Sequence, residues 1–490
     1  MTSTRGARDS VENTHTRPEH RRVIWLLVAA TFVVFLNETT MAVALRPIMS
    51  DFGVPARTGQ WLTTAFMLTM AVVIPVTGLL LQRFATRQMY IAAMGLFSVG
   101  TLVAAIAPSF AVLLVARVVQ ASGTAIMLPL LMTTLMSLVA VAERGRMMGN
   151  VSTVISVAPA AGPTISGVLL DTTGWRGIFW LMLPIGLLML GYGGRTITNV
   201  NEPRPVPVDL LSVILSAVGF GGLVFGLSQV GGEQAGGQAQ GTTTLSVALG
   251  AGATCLALFV WRQLILQRRD AALLDLRTLR APQFTIGLAI MAALMASLFG
   301  AVIVLPLYLQ GVLGLQPVVV GLLLLPGGLT MGLLAQVVGR LYDRHGPRVL
   351  VFPATIVTAA VLLAFSRVGE HTSPWWILAG HVVLSVALAF VFTPLFTSAL
   401  AAVPPSLYSH GSALLGTLQQ VAGAAGTAMF ITVMSIRAGQ LTAQGQAPEA
   451  ALAGGVRTAF LVAAAIALIP VLLAAFVRRP EDVPTSGAPG

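Results

Sequence analysis

The sequence predicts an all-α polytopic membrane protein with fourteen spans, and three observations carry that prediction. Hydrophobic residues make up 56% of the 490 positions and charged ones only 9%, whereas a soluble domain carries about 25% charged residues. The charges are clustered, and the apolar runs between them reach the ~20 residues that cross a bilayer as a helix. The third observation is the placement of the bases. All 28 are arginine. Fourteen spans put 21 of them in the tails and the loops on the side of the chain ends, six on the opposite side, and Arg117 inside a span. Positive charge gathers on the cytoplasmic side, so both termini are expected inside. An odd number of spans would scramble the bias.

Residues 1–22 read as a polar cytoplasmic tail without a signal-peptide apolar region, so the run that follows is expected to stay as the first span. The first six spans are expected near 23–45, 59–81, 89–107, 110–139, 147–170 and 177–196. Two more follow near 208–230 and 244–266, joined by the Gly/Gln-rich GGEQAGGQAQG. The last six are expected near 283–309, 318–342, 349–367, 374–401, 411–436 and 456–477. The fourth and twelfth exceed the hydrocarbon thickness, so their ends project or the helices tilt.

The chain also repeats itself. GLLLQRFATR at 78–87 and GRLYDRHGPR at 339–348 match at Gly78/Gly339, Leu80/Leu341, Arg83/Arg344 and Arg87/Arg348, all at an offset of 261 residues. Both copies lie between the second and third spans of a six-span unit. That predicts a bundle at 23–196, a second at 283–477, two inserted spans with their linkers at 197–282, and a tail at 478–490.

Several function classes drop out. The net charge of +11 is spent on topology rather than on nucleic acid. A single cysteine, Cys255, allows no disulfide framework. His345 and His371 are expected in loops and His381 in span twelve, without metal spacing. No P-loop, nucleotide fingerprint or catalytic triad is visible, so the protein is not expected to be an enzyme, to bind a cofactor or to hold a metal.

The remaining polar residues suggest chemistry. Of seventeen acids, only Glu38 lies deep in a span. Ionisable groups at that depth cost about 2.5–3.5 kcal/mol and are usually functional. One reading is a proton carrier; the other is a structural hydrogen bond, or a short first span that leaves Glu38 near the interface. Arg117 lies at comparable depth, about 10 Å below the outer surface by helical rise. It is either the partner of Glu38 or a structural arginine on backbone carbonyls. In the repeated loops, Gly78, Gly339 and Gly346 allow close approach, while Arg83, Arg87, Asp343, Arg344 and Arg348 can cap helices and latch them together. Ordinary positive-inside charge is the alternative, and Gln82 and Ala85 predict a weaker latch in the first copy. In span five, Pro159, Gly162, Pro163 and Gly167 weaken helix hydrogen bonds and admit close neighbours. Asn37, Trp61, Met67, Gln120, Tyr308, Phe392 and Gln420 lie on spans able to line a cavity, as do Phe66, Met70, Met127, Phe299 and Gln419.

These motifs resemble the major facilitator superfamily, and within it the fourteen-span drug/proton antiporters of the EmrB/QacA type near the lincomycin-resistance-like branch. The loop pattern G-x-L-x-D-R-x-G-R is nearly intact at 339–348; Arg117, Gln120 and Gly123 match R-x-x-Q-x-x-G. APAAGPTISG at 158–167 is similar to the antiporter motif, with Ser166 at a family glycine, and WRGIFWLMLPIG at 175–186 to a family signature. NETTMAVALRP matches the first-span motif with its acid at Glu38, although Arg46 replaces a proline. The resemblance implies the major facilitator fold, with helices one and four together at a central cavity. It implies that span five seals and rocks during alternating access. It further implies a proton-coupled multidrug exporter of amphipathic or cationic small molecules in a bacterial plasma membrane, with no cofactor beyond the proton gradient. Small-molecule drugs or metabolites, protons and the lipid bilayer are its expected partners, and a monomer is the expected state. A dedicated exporter of one metabolite, antibiotic or lipid is the alternative. Proton-coupled uptake survives on fold grounds, whereas a membrane enzyme or sensor lacks its catalytic constellation or effector domain.

Overall fold

A computed structural model describes residues 18–59, 61–200, 203, 209–230 and 240–479. Residues 1–17 and 480–490 of the expected tails, Arg204 and most of the Gly/Gln-rich linker lie outside the described residues, as do the side chains of Arg46, Arg57, Pro159 and Pro163.

Among the described residues fourteen long helices form, in chain order α1 (Pro18–Phe52), α2 (Trp61–Arg83), α3 (Thr86–Ala105), α4 (Phe110–Leu138), α5 (Arg144–Thr173), α6 (Trp175–Thr196), α7 (Leu210–Val230) and α8 (Gln240–Leu266), then α9 (Pro282–Gly311), α10 (Pro317–His345), α11 (Pro347–Phe365), α12 (Pro374–Ala401), α13 (Tyr408–Ala443) and α14 (Pro448–Ala474). No strand occurs among the described residues. Backbone groups in hydrocarbon must be satisfied within the segment, which leaves the helix as the available form for runs of this kind. Proline opens α9, α10, α11, α12 and α14, where its missing N–H costs nothing. Gly174 and Gly346, at φ 72° and 77°, make the sharp turns before α6 and α11.

Thirteen helices are long and apolar enough to cross a membrane among the described residues, and α5 adds a run at 153–170 without Asp, Glu or Arg. α5 packs on α1, α10, α12 and α6, and its Gly145, Gly149 and Ser166 are buried. The expected spans otherwise differ mainly in length. α1 and α13 run for 35 and 36 residues, about 53 Å at 1.5 Å per residue, and project beyond a ~30 Å hydrocarbon core. Arg437, expected in a loop, therefore sits on α13, and His345 is the last residue of α10. Hydropathy marks where lipid ends, not where helical hydrogen bonding ends.

The packing repeats. α1 packs on α4, α5 and α6, α3 on α4 and α6, α2 on α4, and α5 on α6; the same seven pairings recur eight helices later, from α9 on α12, α13 and α14 to α13 on α14. Arg176 of α6 donates to the Ala107 carbonyl at 3.1 Å, and Arg457 of α14 donates to the carbonyl of Val368, 261 positions after Ala107. The bundles meet through α5–α10 and α2–α13, flanked by α5–α12 and α4–α13. α7 packs on α2 and α13 and carries α8 on its outer side.

Candidate functional site

The contacts between the bundles build a closure on the face that carries the chain ends. Asp343, near the end of α10, accepts hydrogen bonds from the Gly145 and Arg146 N–H groups, both at 2.9 Å. A carboxylate on unpaired donors at a helix N-terminus is favoured by charge and geometry together. Backbones touch beside it: a Cβ on Gly339 would lie 2.2 Å from the Gly145 carbonyl oxygen, and one on Gly149 2.4 Å from that of Ala335. At the repeat-related place, Gly78 lies against His410 and Ala413, and Gln82 Nε2 donates to the Ser406 carbonyl at 3.1 Å. Thr133 and Ser412 hydroxyls meet at 3.0 Å between α4 and α13.

Other loop residues serve elsewhere. Arg87 donates from Nε to the Gly194 carbonyl at 2.6 Å, capping α6 of its own bundle. Arg83, Arg344 and Arg348 are exposed at this face. Gly346 makes the turn into α11.

Deeper in the molecule, α1 zips onto α5. Thr39 Oγ1 contacts the Ala158 carbonyl at 3.4 Å, Ser166 Oγ donates to the Thr40 carbonyl at 2.9 Å, and a Cβ on Gly162 would sit 2.1 Å from Thr39 Oγ1. Gly162 is therefore a packing requirement, whereas Gly167 faces open space. α5 runs unbroken through positions 159 and 163.

This zipper fixes Asn37 and Glu38. Asn37 is fully buried with neither amide atom partnered, and Glu38 is half-buried with Oε2 unpartnered. Arg117 is 1% exposed. It donates from Nη1 to Gln120 Oε1 at 2.5 Å, and its guanidinium carbon lies 4.2 Å from the centre of the Phe66 ring. Gln120 Nε2 in turn donates to Thr101 Oγ1 at 2.8 Å. Glu38 and Arg117 act on each other through space without coming into ion-pair contact within 4.0 Å. The arginine that was expected either to pair with Glu38 or to bind backbone carbonyls thus rests on an amide and an aromatic face. Val157, on the α5–α10 closure beside Gly332, precedes Gly162 by five residues, about 7.5 Å along the helix. Through Thr39 and Gly162, Glu38 therefore lies about that distance along α5 from the Val157–Gly332 contact.

The remaining sequence candidates are dispersed. Trp61 stacks on Phe225 of α7, centroids 5.7 Å apart, and Met67 is exposed. Tyr308 donates to the Gly369 carbonyl at 2.7 Å and Phe392 is buried in the second bundle. Met70 packs beside Phe66, Met127 is buried in the main core, and Phe299 lies on Gly423. Gln419 and Gln420 are half-buried on α13, with Gln419 Nε2 unpartnered. Two residues escaped notice in the sequence: Thr101, an unremarkable threonine that anchors Gln120, and His410, buried against Gly78.

Two six-helix bundles with the same internal packing, joined through α5–α10 and α2–α13, define the architecture of a two-bundle membrane carrier. The sequence pattern of the Major Facilitator Superfamily matches residues 27–427, and the chain belongs to that superfamily of membrane transporters. It is 40% identical over 462 residues to a lincomycin resistance protein, LmrB, of Listeria monocytogenes, covering 93% of this chain and 96% of that one. A multidrug resistance protein B homolog of Mycobacterium tuberculosis is 29% identical over 416 residues, covering 84% and 76%. Among solved structures, the proton:xylose symporter XylE superposes with a TM-score of 0.65 at 13% identity, covering 94% of this chain and 97% of that one. That last likeness concerns the fold alone.

Proposed function

We propose that this transporter exports amphipathic or cationic small molecules in exchange for protons, working as a monomer in a bacterial plasma membrane with both termini cytoplasmic. The observation that carries the reading is Glu38, with an unpartnered buried oxygen beside the fully buried, non-paired Arg117. Arg117 is held by Gln120 and Phe66 rather than by the carboxylate. Glu38 is therefore left to bind a proton or a cationic cargo, each displacing the other. The arginine bias supports the orientation. With α5–α10 and α2–α13 closed on the termini face, the carboxyl serves the opposite side; parting of these pairs exposes it to the cytoplasm.

A narrower cargo is the second reading. The name of the Listeria relative points to an antibiotic among the substrates, and a dedicated exporter of one such compound would use the same coupling. Efflux of a panel of cationic and neutral compounds from proteoliposomes under an imposed pH gradient tests both. Glu38→Gln should abolish gradient-driven efflux while leaving folding and fluorescence-detected binding of the neutral compounds measurable; gradient-driven efflux at the wild-type rate in Glu38→Gln would refute the coupling role. A single exported compound favours the narrower cargo.

A further inference from the structure

The two contacts that close the termini face are related by the repeat but differ in chemistry. On the α5–α10 side the closure has a carboxylate on a helix N-terminus. On the α2–α13 side the matching residue is Gln82, with one neutral hydrogen bond to Ser406. A neutral bond of that kind is worth about half of a charge-assisted one, so the second side is expected to be the weaker. It also carries something the first lacks.

The connector between α8 and α9 runs over it. Residues 271–275 are all buried, which is unusual for a connection, because a buried loop must satisfy its backbone groups. Here they are satisfied. Gln263 of α8 accepts from the Leu273 and Leu274 N–H groups at 2.8 and 3.3 Å, and its Nε2 donates to Ser212 of α7 at 2.8 Å. Ser212 donates to Asp209, which Arg262 grips with two hydrogen bonds at 2.6 and 2.7 Å. Asp275 accepts from the Arg277 N–H at 2.9 Å and pairs with its guanidinium at 2.5 Å. The inserted helices thus hold the connector from outside the bundles.

What the connector presses on belongs to both bundles. Leu273 and Leu274 share one apolar cluster with Leu79 of α2, Phe259 of α8 and Ala413 of α13. The His410 ring, against Gly78, faces the Leu273 backbone and the Asp275 and Arg277 charges. The short helix at Leu276–Arg280 packs on α9 and α13. When α2 and α13 part, this cluster must lose one of its walls.

We infer that the α8–α9 connector, anchored by α7 and α8, clamps the α2–α13 side of the closure and stands in for the carboxylate that the first repeat lacks. This gives the inserted helices a conformational role that depends neither on the cargo nor on proton coupling.

The test uses the full chain in lipid nanodiscs. Nitroxide labels at Arg195→Cys on α6 and Val349→Cys on α11, both exposed at the termini face, report the separation of the bundles by pulsed electron resonance in a Cys255→Ser background. Gln263→Leu leaves the two connector N–H groups without an acceptor and should raise the open-to-closed ratio by roughly five- to tenfold, as for loss of about one buried hydrogen-bonding group. Leu274→Ala trims the apolar contact without touching the polar network and should shift the ratio in the same direction, so the test survives if Gln263→Leu fails to fold. Gln82→Asp restores a carboxylate near the start of α13 and should return the Gln263→Leu or Leu274→Ala ratio toward wild type. Asp343→Asn, which weakens the opposite latch, calibrates the open distance. Wild-type distances in both connector variants, alongside opening in Asp343→Asn, would overturn the clamp. Opening that Gln82→Asp fails to reverse would overturn the substitution for the missing carboxylate.

Discussion

Gly339→Ala probes whether the closure depends on backbone contact. A Cβ there would lie 2.2 Å from the Gly145 carbonyl oxygen, 2.9 Å from its carbonyl carbon and 3.1 Å from Gly149 Cα. All three atoms belong to the α5 backbone, so no rotamer relieves them. Restoring ordinary contact requires α10 to retreat from α5 by about 1 Å in a close-packed interface. Overpacking of this kind costs about 1–3 kcal/mol, and it falls on the closed state alone, because the helices separate in the other. The closed-to-open ratio should therefore drop by a factor of about 5 to 150. The repeat-related Gly78→Ala meets softer material: His410 Nδ1 at 2.9 Å and Ala413 Cβ at 3.4 Å. The one other neighbour, His410 Cα, also lies at 3.4 Å, so a single close contact with a side-chain atom stands where Gly339→Ala meets three backbone atoms, and Gly78→Ala should shift the ratio only a few-fold at most. The Arg195/Val349 label pair measures both variants. Opening by Gly78→Ala as large as that by Gly339→Ala would refute the reasoning, as would unchanged distances in Gly339→Ala.

Three further outcomes follow from the same geometry. Gly162→Ala drives a methyl to 2.1 Å from Thr39 Oγ1 and should lower thermal stability in detergent by about 1–3 kcal/mol; adding Thr39→Ala removes that oxygen and should recover part of the loss, whereas additive losses would argue against the contact. Gly426→Ala meets the Ala296 carbonyl oxygen at 2.1 Å and its Cα at 2.5 Å inside the second bundle, so its melting temperature should fall with no shift in bundle separation. On the opposite face, Arg176 and then Trp175 donate to Asp51 at 2.8 and 3.0 Å and hold its carboxyl below the usual carboxylate range. Its contribution is present above the unfolded-state pKa and disappears as pH falls through the lower folded value. The melting-temperature difference between wild type and Asp51→Asn should thus be flat near neutrality and vanish in acid; a difference that grows on acidification would contradict this.

Much of the fold was legible because bilayer crossing imposes length, apolarity and charge bias directly on the sequence. The fourteen helices lie where the apolar runs place them, α5 included. Glu38 and Arg117 stood out for a related reason: an ion in a span is costly enough to be conspicuous. Their relation to each other was not legible. Arg117 turns to Gln120, three residues along its own helix, and to Phe66 on α2, and no spacing in the sequence distinguishes that choice from an ion pair with Glu38. The glycines divide in the same way. Gly162 and Gly339 receive neighbouring helices while Gly167 faces open space, although all three sit in motifs. His410 and the 271–275 connector gave no signal, because their meaning lies in what α2 and α13 bring against them. The sequence by itself determined what each segment could be in a membrane, since that depends on composition along one helix. Only the tertiary structure decided which side chains meet between helices, because those contacts join residues far apart along the chain, such as Gly78 and His410, 332 positions apart, whose proximity exists only after the bundles pack.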